Sequence, residues 1–352
     1  MIFAGDVAIA QGDLFRFCGF PDRIVTEPWI VNLEGPMLNE GTTRRGGLHN
    51  ASNWLQSFSS FRVVGVVLAN NHIQDSPNGI AETRALVETL GVKWAGAGSN
   101  SREAAEPMLV SDGDLEYGVI AAGWSAIGCR PAKVNGSGVN PLRRETLLRQ
   151  VGDLRSRTGI DRVIAVLHGN YEFELYPQPS QRHLAHRLVD AGVHAVIFHH
   201  SHLASHVERY RDRTIAYGLG NWAFSSGHFL DGRVQMPNEA STQLAIEVGR
   251  EHDLVHTAMF RPPNTVEYMK TETVANADCN LVAPFEGFDD RTYLAWFRRN
   301  RHKRTALPIF RHDDPRAIEQ AKLRFVDARN LLLASAFRWG VKSYGSTSRS
   351  GS

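Results

Sequence analysis

The protein has 352 residues, of which 42% are hydrophobic and 22% are charged, a composition typical of globular proteins rather than disordered or fibrous ones. Its 39 basic and 37 acidic residues give a net charge of +2, too small to attract nucleic acid, and we expect no nucleic-acid partner. No apolar run approaches the ~18 residues that cross a bilayer, and no signal-peptide pattern is found. We therefore expect a cytoplasmic protein without a transmembrane segment.

Strand and helix patterns alternate along roughly the first 225 residues. Apolar runs predict strands at residues 2–10, 30–33, 62–68, 92–95, 117–124, 163–167 and 194–198. Helical periodicity and capping residues predict helices at 53–61, 79–90, 141–156 and 179–191. A hairpin is predicted at 207–219, and two antiparallel strands are predicted at 242–248 and 254–261. This alternation indicates an α/β (α+β) fold in which helices cover the faces of a sheet.

The C-terminal part of the chain differs in character from residues 1–262, which we predict to form one domain. Residues 280–342 are aromatic and basic and predict a helical extension, and the Ser- and Gly-rich residues 343–352 predict a disordered tail. The basic run 298–304 fits a solvated helix face, which is the commoner case, or a surface for an anionic partner. The extension could dock on the domain or bind another protein, and the sequence leaves both open.

Polar residues stand where five of the apolar runs are interrupted or end. They are Asp6, Glu34, Asn71 with His72, His168, and His200-Ser201-His202. Because the carboxyl ends of parallel strands gather at one edge of a sheet, we expect these side chains to converge. Carboxylates, an amide oxygen and several imidazoles suit a divalent ion such as Zn, Mn or Fe. The pattern therefore predicts a metal-dependent hydrolase site.

Other polar residues are expected around this site rather than in it. Alternate residues of an extended chain point to one side, so His200 and His202 are expected to chelate together, with His199 packed or placed behind the ligands. Asn221 follows Gly220 and is expected first to hold a loop against the site. Arg182, at the start of a predicted helix, is expected to make surface or rim contacts.

Seven motifs follow one another along about residues 1–230 of the chain. They are Gly5-Asp6, NLEGP at 32–36, LANNH at 68–72 with Asp75, His168 with YEF at 171–173, PSQRHLA at 179–185, His200-Ser201-His202, and YGLGNW at 217–222. In this order they resemble the CapA family of capsule and poly-γ-glutamate synthesis proteins, within the calcineurin-like metallophosphatase superfamily. The resemblance implies a central β-sandwich flanked by helices, here followed by the C-terminal helical extension.

The resemblance also implies a centre of two divalent metals that clamp a phosphate oxygen and activate a water. Carried over by position, the implied ligands are Asp6 and His202 for the first metal, Glu34 as the bridge, and Asn71, His168 and His200 for the second. His72 matches the general acid of the superfamily, which protonates the leaving group or stabilises its developing charge.

Two positions depart from the superfamily pattern. Ala8 stands two residues after Asp6, where the superfamily usually has a histidine, so the first metal loses an imidazole and the centre holds one ion or two. The bridging group is Glu34 rather than an aspartate, as is usual in this family. Asp75 or Glu172 could supply a replacement carboxylate. Glu172 is the stronger candidate, because it lies in the loop just after His168. We therefore place Glu172 among the predicted catalytic residues.

Three functions remain open, and the ligand set favours the first. A metal-dependent hydrolase would cleave a phosphoester or related bond in capsule, exopolysaccharide or polyglutamate metabolism, acting on a phosphorylated metabolite or an anionic cell-surface polymer. An accessory protein of polymer synthesis or export would keep a partial metal site and contact the synthesis machinery through residues 280–342, and Ala8 favours this alternative. A γ-glutamyl amide hydrolase or ligase would use the same metal chemistry on another bond.

Overall fold

The computed structural model describes residues 1–38, 47–157, 159–229, 232, 234–276, 280–302 and 307–338. The strands in chain order are β1 (Ile2–Ala8), β2 (Arg16–Cys18), β3 (Pro28–Leu33), β4 (Met37–Leu38), β5 (Asn50–Ala51), β6 (Arg62–Val67), β7 (Lys93–Ala95), β8 (Ala97–Gly98), β9 (Met108–Asp112), β10 (Leu115–Gly123), β11 (Gly138–Val139), β12 (Arg162–His168), β13 (Ala195–His199), β14 (Val207–Tyr210), β15 (Arg213–Ala216), β16 (Asn221–Phe224), β17 (Thr242–Glu247), β18 (Leu254–Arg261) and β19 (Thr265–Thr273). The helices are α1 (Asp22–Thr26), α2 (Gly79–Thr89), α3 (Ser101–Ala104), α4 (Arg144–Arg155), α5 (Pro179–Asp190), α6 (Asp290–Asn300) and α7 (Arg316–Arg338).

Most of these strands form two mixed sheets. The larger sheet has the order β2-β19-β18-β17-β1-β3-β6-β7, and β16 also pairs with β1. Within it, β1, β3, β6 and β7 are parallel, so their carboxyl ends share one edge. The smaller sheet has the order β14-β15-β13-β12-β10-β9, with β10, β12, β13 and β15 parallel.

Alternating residues of the smaller sheet enter two different cores. In β10, Val119 and Ala121 belong to the core that this sheet shares with the larger one. Ile120 and Ala122 face the other way and pack with residues of α4, α5 and α6. The two sheets therefore stack as a sandwich with helices outside, and the predicted mixed α/β fold is confirmed.

The structure corrects three details of the sequence prediction. The segment predicted as helix 53–61 forms only a short 3-10 helix, Trp54–Phe58, and the helix predicted from residue 141 begins at Arg144. The larger sheet continues past residue 262 into β19, which lies between β18 and β2. This strand was not predicted because most of its side chains are half-buried, so polar and charged residues interrupt its apolar signal.

The C-terminal helices pack on the sandwich. Tyr293 and Phe297 of α6 are buried in the same core as Leu184 of α5. Phe310 and Val326, before and within α7, belong to a smaller buried cluster with aromatic residues that follow β10 and β12. None of the described helices is both long and apolar enough to cross a membrane. The predicted tail, 343–352, lies outside the described residues.

Candidate metal centre

The first carboxylate is placed by a close approach between β1 and the chain segment before β16. A side chain at Gly5 would collide with the carbonyl oxygen of Gly220, so glycine is required here. The Asp6 backbone N–H donates to that same oxygen at 3.0 Å. The pairing of β1 with β16 shifts register just after Asp6, which leaves Asp6 opposite Asn221.

The histidines come from the carboxyl ends of β12 and β13. His168 ends β12 and lies beside His199, which ends β13. Beyond this point the backbone turns, with φ of 89° at His200 and 56° at His202, a left-handed conformation uncommon for residues other than glycine. The prediction that an extended backbone would align His200 and His202 is therefore wrong. Two left-handed residues place them in the centre instead, and such backbone strain clusters at functional sites.

Two groups of buried ligand atoms share Glu34. One group comprises Asp6, Glu34 and His202, and the other comprises Glu34, His168 and His200. Within each group the ligand atoms lie within 4.8 Å of one another. Glu34 Oε1 lies 3.7 Å from His168 Nε2, and Glu34 Oε2 lies 3.9 Å from His202 Nδ1. Each carboxylate oxygen of Glu34 therefore faces a different group.

Three buried polar atoms of this centre have no hydrogen-bond partner among the described residues. Glu34 is fully buried, and among the described residues neither of its carboxylate oxygens has a hydrogen-bond partner. The Nδ1 atom of buried His200 likewise has no hydrogen-bond partner among these residues. Buried polar groups without partners destabilise a fold by kilocalories per mole, so native structures rarely keep them. A divalent cation would be a partner for all three atoms, and the donor set therefore fits a metal.

The charges of the ligands depend on their mutual contacts. Burial raises the pKa of Glu34 well above its usual value, and the neighbouring negative charge of Asp6 adds to this effect. Burial also acts to raise the pKa of Asp6, but the hydrogen bond and charge of His199 outweigh it and hold that pKa below its usual value. Burial lowers the pKa values of His168 and His200, which favours the neutral imidazoles that bind metals.

Amide oxygens extend both groups of ligand atoms. Asn71 Oδ1 lies 2.8 Å from His168 Nε2, next to the second group. Asn221 Oδ1 lies 2.9 Å from His202 Nδ1, next to the first group. The sequence placed Asn71 among the ligands and Asn221 behind them. In the structure the two amides occupy equivalent positions, one beside each group.

Two asparagines that position the ligands were missed in the sequence. Asn32 Nδ2 donates to Asp6 Oδ1 at 2.8 Å and lies 3.4 Å from His168 Nδ1, so it links the two groups. Asn70 Nδ2 donates to the Leu33 carbonyl oxygen at 2.8 Å and thereby fixes the backbone before Glu34. Both are fully or almost fully buried at the end of an apolar run, and this placement is the signal that could have identified them.

His72, Asp75 and Glu172 lie around the two groups. The imidazole of His72 is 32% exposed, and its Nδ1 lies 2.8 Å from Asp75 Oδ2. The same oxygen of Asp75 accepts the backbone N–H of Leu48 at 2.9 Å, so both partners are held in place. Glu172 is half-buried, and its negative charge contributes to the raised pKa of Glu34.

His199 approaches the centre, whereas Arg182 does not. His199 Nδ1 lies 3.0 Å from Asp6 Oδ1, behind the ligand atoms. Arg182 was expected at the surface, but its side chain is only 1% exposed and its guanidinium binds Glu208 with two nitrogens. The expectation for Arg182 is wrong because its side chain points into the interface between α5, β14 and α6. It also donates to the Phe288 carbonyl oxygen at 2.9 Å.

Ala8 is part of an apolar cluster beside the centre. It is fully buried and packs with Phe224, Phe229 and Leu48. This position, which departs from the histidine expected from the resemblance, therefore holds apolar packing and offers no ligand atom. Among the described residues, the amide of Asn221 is the polar group that adjoins the first ligand group from β16.

A family model described as bacterial capsule synthesis protein PGA_cap matches residues 26–226, more than half of the chain. The chain belongs to this family. The predicted resemblance to CapA proteins is thereby confirmed, and the matched range contains Glu34, Asn71, His168, His200 and His202.

Relatives within the family cover part of the chain. The capsule biosynthesis protein CapA of Bacillus anthracis is 25% identical over 163 residues, 46% of this chain and 40% of the relative. A probable polyglutamine synthesis accessory protein of Mycobacterium tuberculosis is 32% identical over 220 residues, 57% of this chain and 56% of the relative. The chain thus matches about half the length of these relatives. Among solved structures, a phosphatase of Mycoplasma pneumoniae aligns with 77% of this chain and 91% of its own, at 13% identity and a TM-score of 0.42.

Proposed function

We propose that this member of the capsule synthesis family is a metal-dependent hydrolase that cleaves a phosphoester or a related bond. The observation that carries the proposal is the position of Glu34 between two buried groups of ligand atoms, with one carboxylate oxygen toward each. A carboxylate shared in this way is suited to bridge two ions, which is the arrangement used by two-metal hydrolases. The family supports a substrate from capsule, exopolysaccharide or polyglutamate metabolism.

Each ion would be held by one half of the site. Asp6, His202 and the amide oxygen of Asn221 surround the first position, and Asn71, His168 and His200 surround the second. Bound Mn, Zn or Fe would supply Lewis-acid polarisation of the bond to be cleaved and activation of a water. One ion or two remain compatible with these ligands, because Ala8 supplies no ligand atom to the first position.

The chain's own residues would orient the substrate and move the proton. His72 is the polar group best placed for proton transfer, because its ring is partly exposed and Asp75 holds Nδ1. This contact leaves Nε2 free to face a leaving oxygen. Glu172 adds another carboxylate near Glu34, where it would help to position a water.

The test is metal content measured together with hydrolysis on the same preparations of the full chain. Protein loaded with Mn, Zn or Fe should hydrolyse p-nitrophenyl phosphate or bis-p-nitrophenyl phosphate, and Glu34→Gln should lose the metal of this centre together with the activity. His252→Ala, which changes an exposed histidine away from these groups, should lose neither. Folded, metal-loaded protein that cleaves neither ester but cleaves γ-glutamyl p-nitroanilide would replace this proposal with amide hydrolysis.

An accessory role in polymer synthesis is the second candidate, and the packing of Ala8 favours it. An apolar cluster stands where a ligand is usual, which weakens the first metal position. The relative from Mycobacterium tuberculosis is itself named a probable accessory protein. The exposed Leu332 of α7 offers an apolar contact for a partner. Two results together would favour this role. The full chain should recover polymer-synthesis proteins in a pull-down whereas Leu332→Glu does not, and the protein should hydrolyse none of the esters or the amide named above.

A further inference from the structure

A second cluster of metal-ligand side chains lies between α5 and the C-terminal helices. It consists of His183 on α5, Asp290 at the start of α6, and His312 in the segment before α7. One ligand atom from each lies within 4.8 Å of the other two. None of these residues belongs to the ligand groups around Glu34, and the proposed function does not use them.

We propose that His183, Asp290 and His312 form a separate Zn²⁺ site that fastens the C-terminal helices to the sandwich. Two imidazoles and one carboxylate are a donor set that zinc accepts, with water in the fourth position. Each residue comes from a different segment, and more than one hundred positions separate His183 from Asp290. One ion would therefore join three parts of the chain.

The spacing of the ligand atoms fits tetrahedral coordination. Zinc bonds of about 2.0–2.1 Å at tetrahedral angles place neighbouring ligand atoms about 3.3 Å apart. Asp290 Oδ2 lies 2.8 Å from His183 Nδ1 and 3.7 Å from His312 Nε2, distances that bracket this value. The two imidazole rings stack with centroids 4.3 Å apart and planes 19° apart. Because stacked rings direct their nitrogen lone pairs nearly parallel, binding an ion would require the two imidazoles to rotate out of the stack.

Backbone contacts already hold the segments in place. The Ser180 N–H donates to the Phe310 carbonyl oxygen at 3.0 Å, and the Phe310 N–H donates to Gln178 Oε1 at 3.2 Å. The segment before α7 therefore runs along the first turn of α5 and carries His312 to His183. On the other side, the Arg182 guanidinium bonds the Phe288 carbonyl oxygen, two residues before Asp290. Because the side chains are 21–33% exposed, an ion and its water can reach them from solvent.

The experiment is titration of the full chain with ZnCl₂ after removal of bound metal by a chelator, followed by isothermal calorimetry and elemental analysis. His312→Ala and Asp290→Asn should each bind one zinc ion fewer than the wild type. His252→Ala, a matched exposed histidine, should bind the same number as the wild type. Zinc should also raise the Tm of Glu34→Gln, which keeps this cluster, by an amount that His312→Ala in the same background abolishes.

Two results would overturn the proposal. If His312→Ala binds as many zinc ions as the wild type with unchanged affinity, the cluster is only a set of hydrogen bonds between His183 and Asp290. If Glu34→Gln binds no zinc at all, every bound ion belongs to the centre around Glu34. Failure of the hydrolase proposal would give a different result. In that case the wild type would hydrolyse none of the substrates, but it would still bind the zinc ion that His312→Ala loses.

Discussion

His72 Nδ1 lies 2.8 Å from Asp75 Oδ2, and the backbone N–H of Leu48 holds the same carboxylate oxygen at 2.9 Å. This pairing fixes the ring of His72 without making it part of either ligand group. A histidine held by a carboxylate through one ring nitrogen presents the other nitrogen to substrate. His72, the residue proposed for proton transfer, is thus distinct from the residues proposed to hold metal.

His72→Ala should keep its metal and lose turnover. We expect kcat to fall by about 10²–10⁴, the usual contribution of a positioned acid, because the variant removes the imidazole that Asp75 holds by direct contact. Elemental analysis and ester hydrolysis on one preparation measure both quantities. Loss of metal from His72→Ala would show that this histidine is a ligand.

Asp75→Asn should reduce kcat less than His72→Ala does, and KM should change little. An asparagine keeps the size of the side chain and can still accept from the Leu48 N–H, but its neutral oxygen holds the His72 ring less firmly than a carboxylate does. Metal content and urea unfolding, measured beside kcat, separate this positioning role from a structural one, because both should stay at the wild-type value. An unchanged kcat would exclude the role.

Glu34→Gln should lose metal from both positions, whereas His200→Ala should weaken only the second. The reason is that Glu34 presents one oxygen to each ligand group and His200 belongs to one of them. Metal content per chain by elemental analysis, after equilibration with Mn or Zn, measures the difference. Equal losses in the two variants would indicate a single ion rather than two.

The sequence predicted those parts of the centre that local patterns control. Apolar runs marked the strands, and polar residues at their ends marked Glu34 and His168, because parallel strands bring their carboxyl ends together. The left-handed backbone at His200 and His202 could not be predicted, since it depends on how the chain turns after β13 against β1. Burial of Arg182 was missed for a similar reason. Its partner in β14 is 26 residues away, and nothing near it in the sequence indicates the pairing.

Arg182→Met should destabilise the fold without changing metal content. The guanidinium of Arg182 and the carboxylate of Glu208 are each 1% exposed, so the variant leaves a buried charge without its main partner. Removing one member of such a pair costs about 3–5 kcal/mol in the free energy of unfolding. Arg187→Met, on the same helix with a 51% exposed side chain near Asp190, should cost less than about 1 kcal/mol. Urea unfolding compares the two variants. A changed KM with unchanged stability in Arg182→Met would contradict this structural role and indicate that Arg182 contacts the substrate.

Glu247 forms a buried cluster at the end of β17 that sets part of the acid stability. Its two oxygens each accept from Arg23 at 3.0 Å, and His256 Nε2 lies 3.0 Å from Oε2. Burial acts to raise the pKa of Glu247, but the hydrogen bonds from His256 and Arg23 outweigh it and lower that pKa from 4.5 to about 2.

Glu247→Gln should therefore flatten the acid dependence of stability. A carboxyl group with a lowered pKa in the folded state stabilises the fold fully above its unfolded pKa, and this contribution disappears as the pH falls toward the folded value. The window here runs from about pH 4.5 down to about pH 2. Because solvent screens part of the pairing with half-exposed Arg23, the wild type should lose on the order of 1–3 kcal/mol relative to Glu247→Gln across the window. Urea unfolding of both proteins at pH 6, 4 and 2.5 measures it, and a constant difference at all three pH values would contradict the assignment.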